Sequence, residues 1–143
     1  MSSGHKAVLL DTGVWLGLFD ERDQFHQKAV ELTTGIEHWR VIVPTPCLYE
    51  TLSSRFVKDH RRVAAFRSAL EQANVELIDD VSYRQAATVS LWNQPRGRYV
   101  SLVDMVIRHI IADATVRVSG LVTFNPGDFH DVCRTRGVEL VWT

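Results

Sequence analysis

The chain has 143 residues, 45% of them hydrophobic and 23% charged, the length and balance of one ordinary globular domain spanning residues 1–143. A chain this long buries about two-thirds of the surface its unfolded form exposes, which excludes a mini-protein that needs a disulfide or a metal merely to fold. Its 16 basic and 17 acidic residues leave a formal charge of −1, so no global field draws it to nucleic acid or lipid, and any such contact must use a local patch.

Ala7 to Leu10 is a wholly apolar run ending in Asp11, which reads as a strand buried on both faces with an acid at its C-terminal edge. Trp15, Leu16 and Phe19 suggest a helix after it, and Phe25, Ala29, Val30 and Leu32 a second helical face. Val41-Ile42-Val43 is the next buried strand. Thr45-Pro46 supplies a cap and a first-turn proline, and Leu48, Leu52, Phe56 and Val57 then recur at helical spacing, which puts Glu50 on a helix. Ala64 to Leu70 continues as helix, Val75 to Ile78 reads as a strand, Tyr83 to Trp92 as a helix, and Asn93 to Gly97 as a loop. Ser101 opens an amphipathic helix whose apolar face carries Val103, Val106, Ile107, Ile110, Ile111 and Ala114. Gly120 to Phe124 is a strand, Asn125-Pro126-Gly127 a turn, and Val138 to Trp142 a last strand. Short apolar strands alternating with helices predict an α/β fold, a parallel sheet covered on both faces.

Cys47 and Cys133 have no CxxC or CxxH neighbour, which argues against a zinc site and against a disulfide framework, and fits a reducing cytoplasm. No apolar run approaches the roughly 18 residues of a membrane span, and Met1-Ser2-Ser3-Gly4-His5-Lys6 lacks the apolar core of a signal peptide. No glycine-rich phosphate loop occurs, and the six histidines form no HxxxH pair.

In open parallel sheets the functional crevice lies at the C-terminal ends of the strands. Asp11 follows the first strand, Glu50 lies just beyond the second, Asp104 is in the first turn of the helix leading to the fourth, and Asp128 follows that strand. No local helix geometry relates them, so the fold must gather them. Carboxylates brought together repel, and a hard divalent cation resolves the repulsion. All-oxygen ligation favours Mg²⁺ or Mn²⁺, which typically take one or two carboxylates together with phosphate oxygens, so phosphate chemistry is the natural use.

Val8-Leu9-Leu10-Asp11-Thr12, Tyr49-Glu50, Ser101-Leu102-Val103-Asp104 and Leu121-Val122-Thr123-Phe124-Asn125-Pro126-Gly127-Asp128-Phe129 follow one another in this order. With these four segments the chain resembles a PIN-domain ribonuclease, specifically a VapC-type toxin of a toxin–antitoxin module. The resemblance implies a three-layer α/β/α sandwich with a mainly parallel sheet, and an endoribonuclease that hydrolyses RNA by Mg²⁺- or Mn²⁺-activated water. It also implies a homodimer, a cognate antitoxin and a tRNA or rRNA substrate. By matching position Asp11, Glu50 and Asp104 are the main acids, Asp11 and Asp104 the metal ligands, Glu50 the residue that positions water or acts as base, and Thr12 and Ser101 accessory hydroxyls. The late segment departs from the family pattern. Asn125 stands where an acid is expected, and either Asn125 or Asp128 completes the site.

Each acid also has a structural reading. Asp11 suits a helix cap, Glu50 a solvated helix face, Asp104 the capping box begun by Ser101, and Asp128 a turn. A site decayed at Asn125 would leave a non-catalytic module that binds RNA or protein. Arg55, Lys58, Arg61 and Arg62 beside the Glu50 helix, and Arg96, Arg98 and Tyr99 before the Asp104 helix, are candidate RNA contacts through phosphates and a stacked base, and as such predict salt-sensitive binding. Trp15 and Phe19 are candidates for lining an antitoxin groove.

Overall fold

The computed structural model describes residues 6–141; the leader-free N-terminus read at Met1 to His5, and Trp142 of the expected last strand, lie outside them. Five strands form one sheet in the order β3-β2-β1-β4-β5, namely β1 (Ala7–Leu10), β2 (Arg40–Pro44), β3 (Val75–Ile78), β4 (Gly120–Val122) and β5 (Glu139–Val141). Every neighbouring pair is parallel. The chain runs outward from β1 through β2 to β3 and then returns to the other side of β1 for β4. The crevice where strand order reverses therefore opens at the C-terminal ends of β1 and β4, beside Asp11.

Period-two alternation splits the core into two layers. Ala7, Leu9, Ile42 and Leu121 face α5 (Val81–Trp92), α6 (Leu102–Ala112) and α7 (His130–Arg136) through Ala87, Val106, Ile107, Ile110 and Cys133. Val8, Leu10, Val41, Val43 and Val122 face α1 (Thr12–Phe19), α2 (His26–Thr33) and α4 (His60–Leu70) through Val14, Trp15, Ala29 and Phe66. This is the three-layer sandwich expected from the sequence. Phe66 is the hub of the second layer, edge-on to Trp15, Phe19 and Phe56 with ring centroids 5.5, 5.5 and 5.8 Å away. Gly17 lets α1 and α2 close together, since a Cβ there would meet the Ala29 Cβ at 3.0 Å.

Three local expectations are corrected. The helix carrying Glu50 does not run on to Val57: α3 is Thr45–Thr51, and a separate 3-10 turn covers Phe56–Lys58. Ser53 intervenes, its hydroxyl accepting from the Phe56 N–H at 3.4 Å and its carbonyl from the Val57 N–H at 3.0 Å. Thr45 does not cap α3. It is already helical after Pro44, and its hydroxyl donates to the Ile78 carbonyl of β3 at 3.1 Å. The strand expected at Gly120 to Phe124 ends at Val122, and the turn after it leads into the unexpected helix α7, closed by Gly137 in the left-handed conformation at φ 66°.

Phe66→Ala should lower stability by about 3–5 kcal/mol, because the vacated volume is walled by three other rings. Urea unfolding checks this; a loss below about 1 kcal/mol would mean that the layer repacks.

Candidate active site

Asp11 is the fixed point of the site. It is 5% exposed at the end of β1, where its N–H donates to the Val122 carbonyl at 3.1 Å. One carboxylate oxygen accepts from the Thr12 N–H at 2.8 Å, capping α1, and the other accepts from the Thr123 hydroxyl at 2.8 Å. The capping reading of Asp11 thus holds, and it leaves room for a functional one. Burial pushes the Asp11 pKa up. The hydrogen bonds from Thr123 and Thr12 oppose that push, and the charges of Glu50 and Asp128 add to it.

Thr12 joins the second acid to the first. Its hydroxyl donates to Glu50 Oε1 at 2.7 Å, linking the start of α1 to α3. Glu50 is itself exposed. Its solvated reading is therefore also true, but Thr12 holds it at the mouth of the crevice. Cys47, one turn earlier on α3, is fully buried under the acids. Its thiol is pushed up to about 12, first by burial and then by the charges of Asp11, Glu50 and Asp104.

Asp104 comes from the opposite layer. Ser101 caps α6, its hydroxyl accepting from the Asp104 N–H at 3.1 Å, so half of the expected capping box is present and the Asp104 carboxylate is left for the crevice. Its pKa is pushed up to about 7, first by burial and then by Asp11, Asp128 and Glu50, against the hydrogen bond from Ser101. Four acids from four separate segments therefore share one electrostatic field.

Asp128 belongs to that field, and Asn125 is the exposed start of its turn, with its N–H donating to the Thr123 hydroxyl at 3.0 Å. Arg108, one turn after Asp104 on α6, secures the loop. It donates to the Asp128 carbonyl at 2.8 Å and grips the Asp131 carboxylate at 2.7 and 2.8 Å. These bonds hold the Asp131 carboxyl well below the usual range.

Thr123, Cys47 and Arg108 were not singled out from the sequence. Thr123 was the most legible of them, as the polar residue closing a buried strand. Among the expected RNA contacts, Arg98 is paired with Asp131 at 3.2 Å. Arg96 and Tyr99 are exposed on the loop before α6. Arg55 lies beyond α3, in a depression shared with Arg22 just past the far end of α1. Arg62 is buried and turned inward onto the Arg55 and Phe56 carbonyls. Trp15, expected in a groove, is 3% exposed within the core.

Among the described residues no three His, Cys, Asp or Glu side chains already form a metal cage. The donor set nevertheless fits a hard divalent ion. It is all oxygen, and the acids around Asp104 disfavour its charge in the way a cation would relieve.

The same repulsion has a sign in stability. The folded-state pKa of Asp104 lies above the ordinary value of 3.8, so the folded chain binds more protons than the unfolded one between pH 4 and about 7, and the Asp104 contribution to stability falls as pH rises through that window. Without divalent cation, Asp104→Asn should melt above wild type at pH 8, and the gap should narrow as pH falls and close near pH 4. Thermal melts in EDTA test this, and a variant that melts below wild type at pH 8 would contradict it.

No family model matches the chain, and the comparison with curated proteins gave no match. Solved structures do match. The VapC20 toxin of Mycobacterium tuberculosis, described as cleaving the sarcin-ricin loop, is similar over 87% of this chain and 94% of its own, at 17% identity and a TM-score of 0.70. VapBC2 of Rickettsia felis, bound to a DNA fragment from its promoter, is similar over 96% of this chain and 99% of its own, at 18% identity and a TM-score of 0.57. The five-stranded parallel sheet with its two helical layers, and the crevice that gathers the acids, thus belong to a chain with the fold of VapC toxins.

Proposed function

We propose that this protein is the toxin of a toxin–antitoxin pair, an endoribonuclease that hydrolyses RNA phosphodiester bonds with Mg²⁺ or Mn²⁺. The observation that carries the reading is the convergence of Asp11, Glu50, Asp104 and Asp128 on the C-terminal edge of the sheet, with Asp104 pushed up to about 7 by its neighbours. Asp11 and Asp104 would hold the ion. When bound there it would polarise the scissile phosphate and make water more acidic.

The remaining roles follow from the hydrogen bonds. Thr123 and Thr12 fix both oxygens of Asp11, so its orientation does not depend on substrate. Thr12 occupies only Oε1 of Glu50, so Oε2 can orient an attacking water and take its proton. Ser101 sets the first turn of α6 so that Asp104 projects from a rigid helix. Asp128, held by Arg108 through its own carbonyl, supplies an acid at the late position although Asn125 is an amide. That favours an intact site over a decayed binding module.

The proposed partners follow the same reading. The similarity to a sarcin-ricin-loop-cleaving toxin makes rRNA the first substrate to test, with tRNA second, and the similarity to a VapBC complex supports an antitoxin. A depression of about 620 Å³, bordered by Leu18, Phe19 and Ala65 on one side and by charged residues on the other, suits an antitoxin segment of mixed apolar and charged side chains. A second copy of the chain is the proposed cover for exposed Tyr49, Val81 and Trp92. No helix among the described residues is long and apolar enough to cross a membrane, in keeping with a cytoplasmic toxin.

Purified protein should cut rRNA-loop or tRNA fragments with Mg²⁺ or Mn²⁺ and not in EDTA, and Asp11→Asn and Asp104→Asn should each lower the rate by about 100-fold or more while keeping the circular dichroism of wild type. Cleavage retained in both variants would overturn the assignment.

A further inference from the structure

A depression of about 800 Å³ lies away from the acids, where residues 55–62 meet the turn after α1. Its lining is entirely polar, with Arg22, Arg55, Lys58 and Arg61 around Arg62 and one carboxylate, Asp59. The pin of this surface is Arg62, whose side chain is only 4% exposed. Its Nε and Nη2 donate to the Phe56 carbonyl at 3.1 and 2.9 Å, and Nη2 also donates to the Arg55 carbonyl at 2.9 Å. Its Nη1 lies 3.7 Å from Asp20 and 3.9 Å from Asp59, and its guanidinium stacks on the Phe56 ring at 5.0 Å. A buried cation matched in this way stays in place, and it ties the backbone of Arg55 to the turn that presents Arg22.

The arrangement separates structural charge from available charge. Arg62 shares Asp20 with Arg22, whose Nε lies 3.6 Å from that carboxylate, and also takes up Asp59, so the exposed Arg55, Lys58 and Arg61 are in surplus over the carboxylates left to answer them. Such a surplus in a chain of net charge −1 is the local patch that composition alone requires of any nucleic-acid contact. A protein partner is anchored by apolar or aromatic side chains in dry pockets, and this depression offers none. A phosphodiester backbone needs only cations with solvent between them.

We infer that Arg22, Arg55, Lys58 and Arg61, ordered by buried Arg62, form a second phosphate-binding surface that holds the backbone of the RNA strand at a distance from the bond that is cut. This rests on the nuclease reading for its substrate class. The location agrees with it. Arg55 is five positions along the chain from Glu50, a chain reach of at most about 18 Å, and α1, running from Asp11 toward Arg22, is about 12 Å long. The surface therefore grips nucleotides flanking the acids, and it sets affinity with little sequence readout.

The test is fluorescence anisotropy with a labelled single-stranded oligouridine, in EDTA so that nothing is cut, across a salt series. Arg55→Ala/Lys58→Ala/Arg61→Ala should weaken binding at least tenfold at low salt and flatten the slope of log Kd against log salt by about 2, three phosphate contacts at about 0.7 each. Lys28→Ala/Arg67→Ala/Arg134→Ala, which removes three cations elsewhere, should change neither, and both variants should melt within a few degrees of wild type. An unchanged slope in the first variant, an equal effect in the second, or equally tight binding of an oligoglutamate peptide would overturn the inference. These results leave the nuclease reading standing, because metal-dependent cleavage and its loss in Asp11→Asn are measured separately. Failure of wild type to bind the oligonucleotide would also overturn the inference, and only absence of cleavage would touch the other.

Discussion

A carboxylate at the centre of a parallel sheet is costly to bury, and the architecture of the crevice is arranged around keeping one there. Desolvation pushes the Asp11 pKa up. The Thr12 N–H and the Thr123 hydroxyl, each at 2.8 Å, oppose that tendency by taking one oxygen apiece. The first donor comes from the start of α1, and the second is there because β1 lies beside β4. The register that pairs Leu10 with Val122 brings the next residues, Asp11 and Thr123, abreast at the strand ends. The topological reversal, the cap of α1 and the anchoring of the acid are therefore one feature described at three scales.

The other acids are positioned relative to that point by rigid elements. Thr12 caps nothing with its hydroxyl and uses it to hold Glu50, so α1 and α3 meet at the mouth of the crevice. Asp104 arrives from the opposite layer on a helix whose buried face, from Met105 to Ile111, is locked into the core. Arg108 then couples that helix to the Asp128 loop and to α7. Because Arg108, on the same helix as Asp104, holds the Asp128 carbonyl, the late loop does not need an acid at Asn125 to place one near Asp11. The mutual repulsion this creates is the property that suits a divalent cation, which replaces carboxylate–carboxylate repulsion with attraction and can in turn attract a phosphate.

Much of this was legible in the sequence, for reasons that differ by element. β1, β2 and β4 announce themselves as unbroken apolar runs because both faces are buried, and each leads to a candidate acid because parallel strands all present their C-terminal ends on one edge. Asp104 was marked by Ser101 and by the strong apolar periodicity behind it. Where the sequence misled, a long-range partner had outbid a local signal. Thr45 looks like a cap, yet its hydroxyl reaches β3. Leu48, Leu52, Phe56 and Val57 keep helical spacing across Ser53, which nevertheless breaks the helix by bonding its own neighbours. The helix α7 was overlooked because it is short and polar, and only Phe129, Val132 and Cys133 with the closing Gly137 betray it. The roles of Thr123 and Arg108 depend on strand register and on a helix-to-loop contact, neither of which has a local signature.

The central claim is that acids drawn from four segments act as one cation site built on Asp11 and Asp104. Its most direct measurement is a Mn²⁺ titration followed by electron paramagnetic resonance, comparing wild type with Asp11→Asn, Asp104→Asn and the remote control Glu71→Gln. The account predicts saturable binding in wild type and in the control, weakened at least tenfold by either crevice substitution. Binding that survives both substitutions unchanged would contradict it.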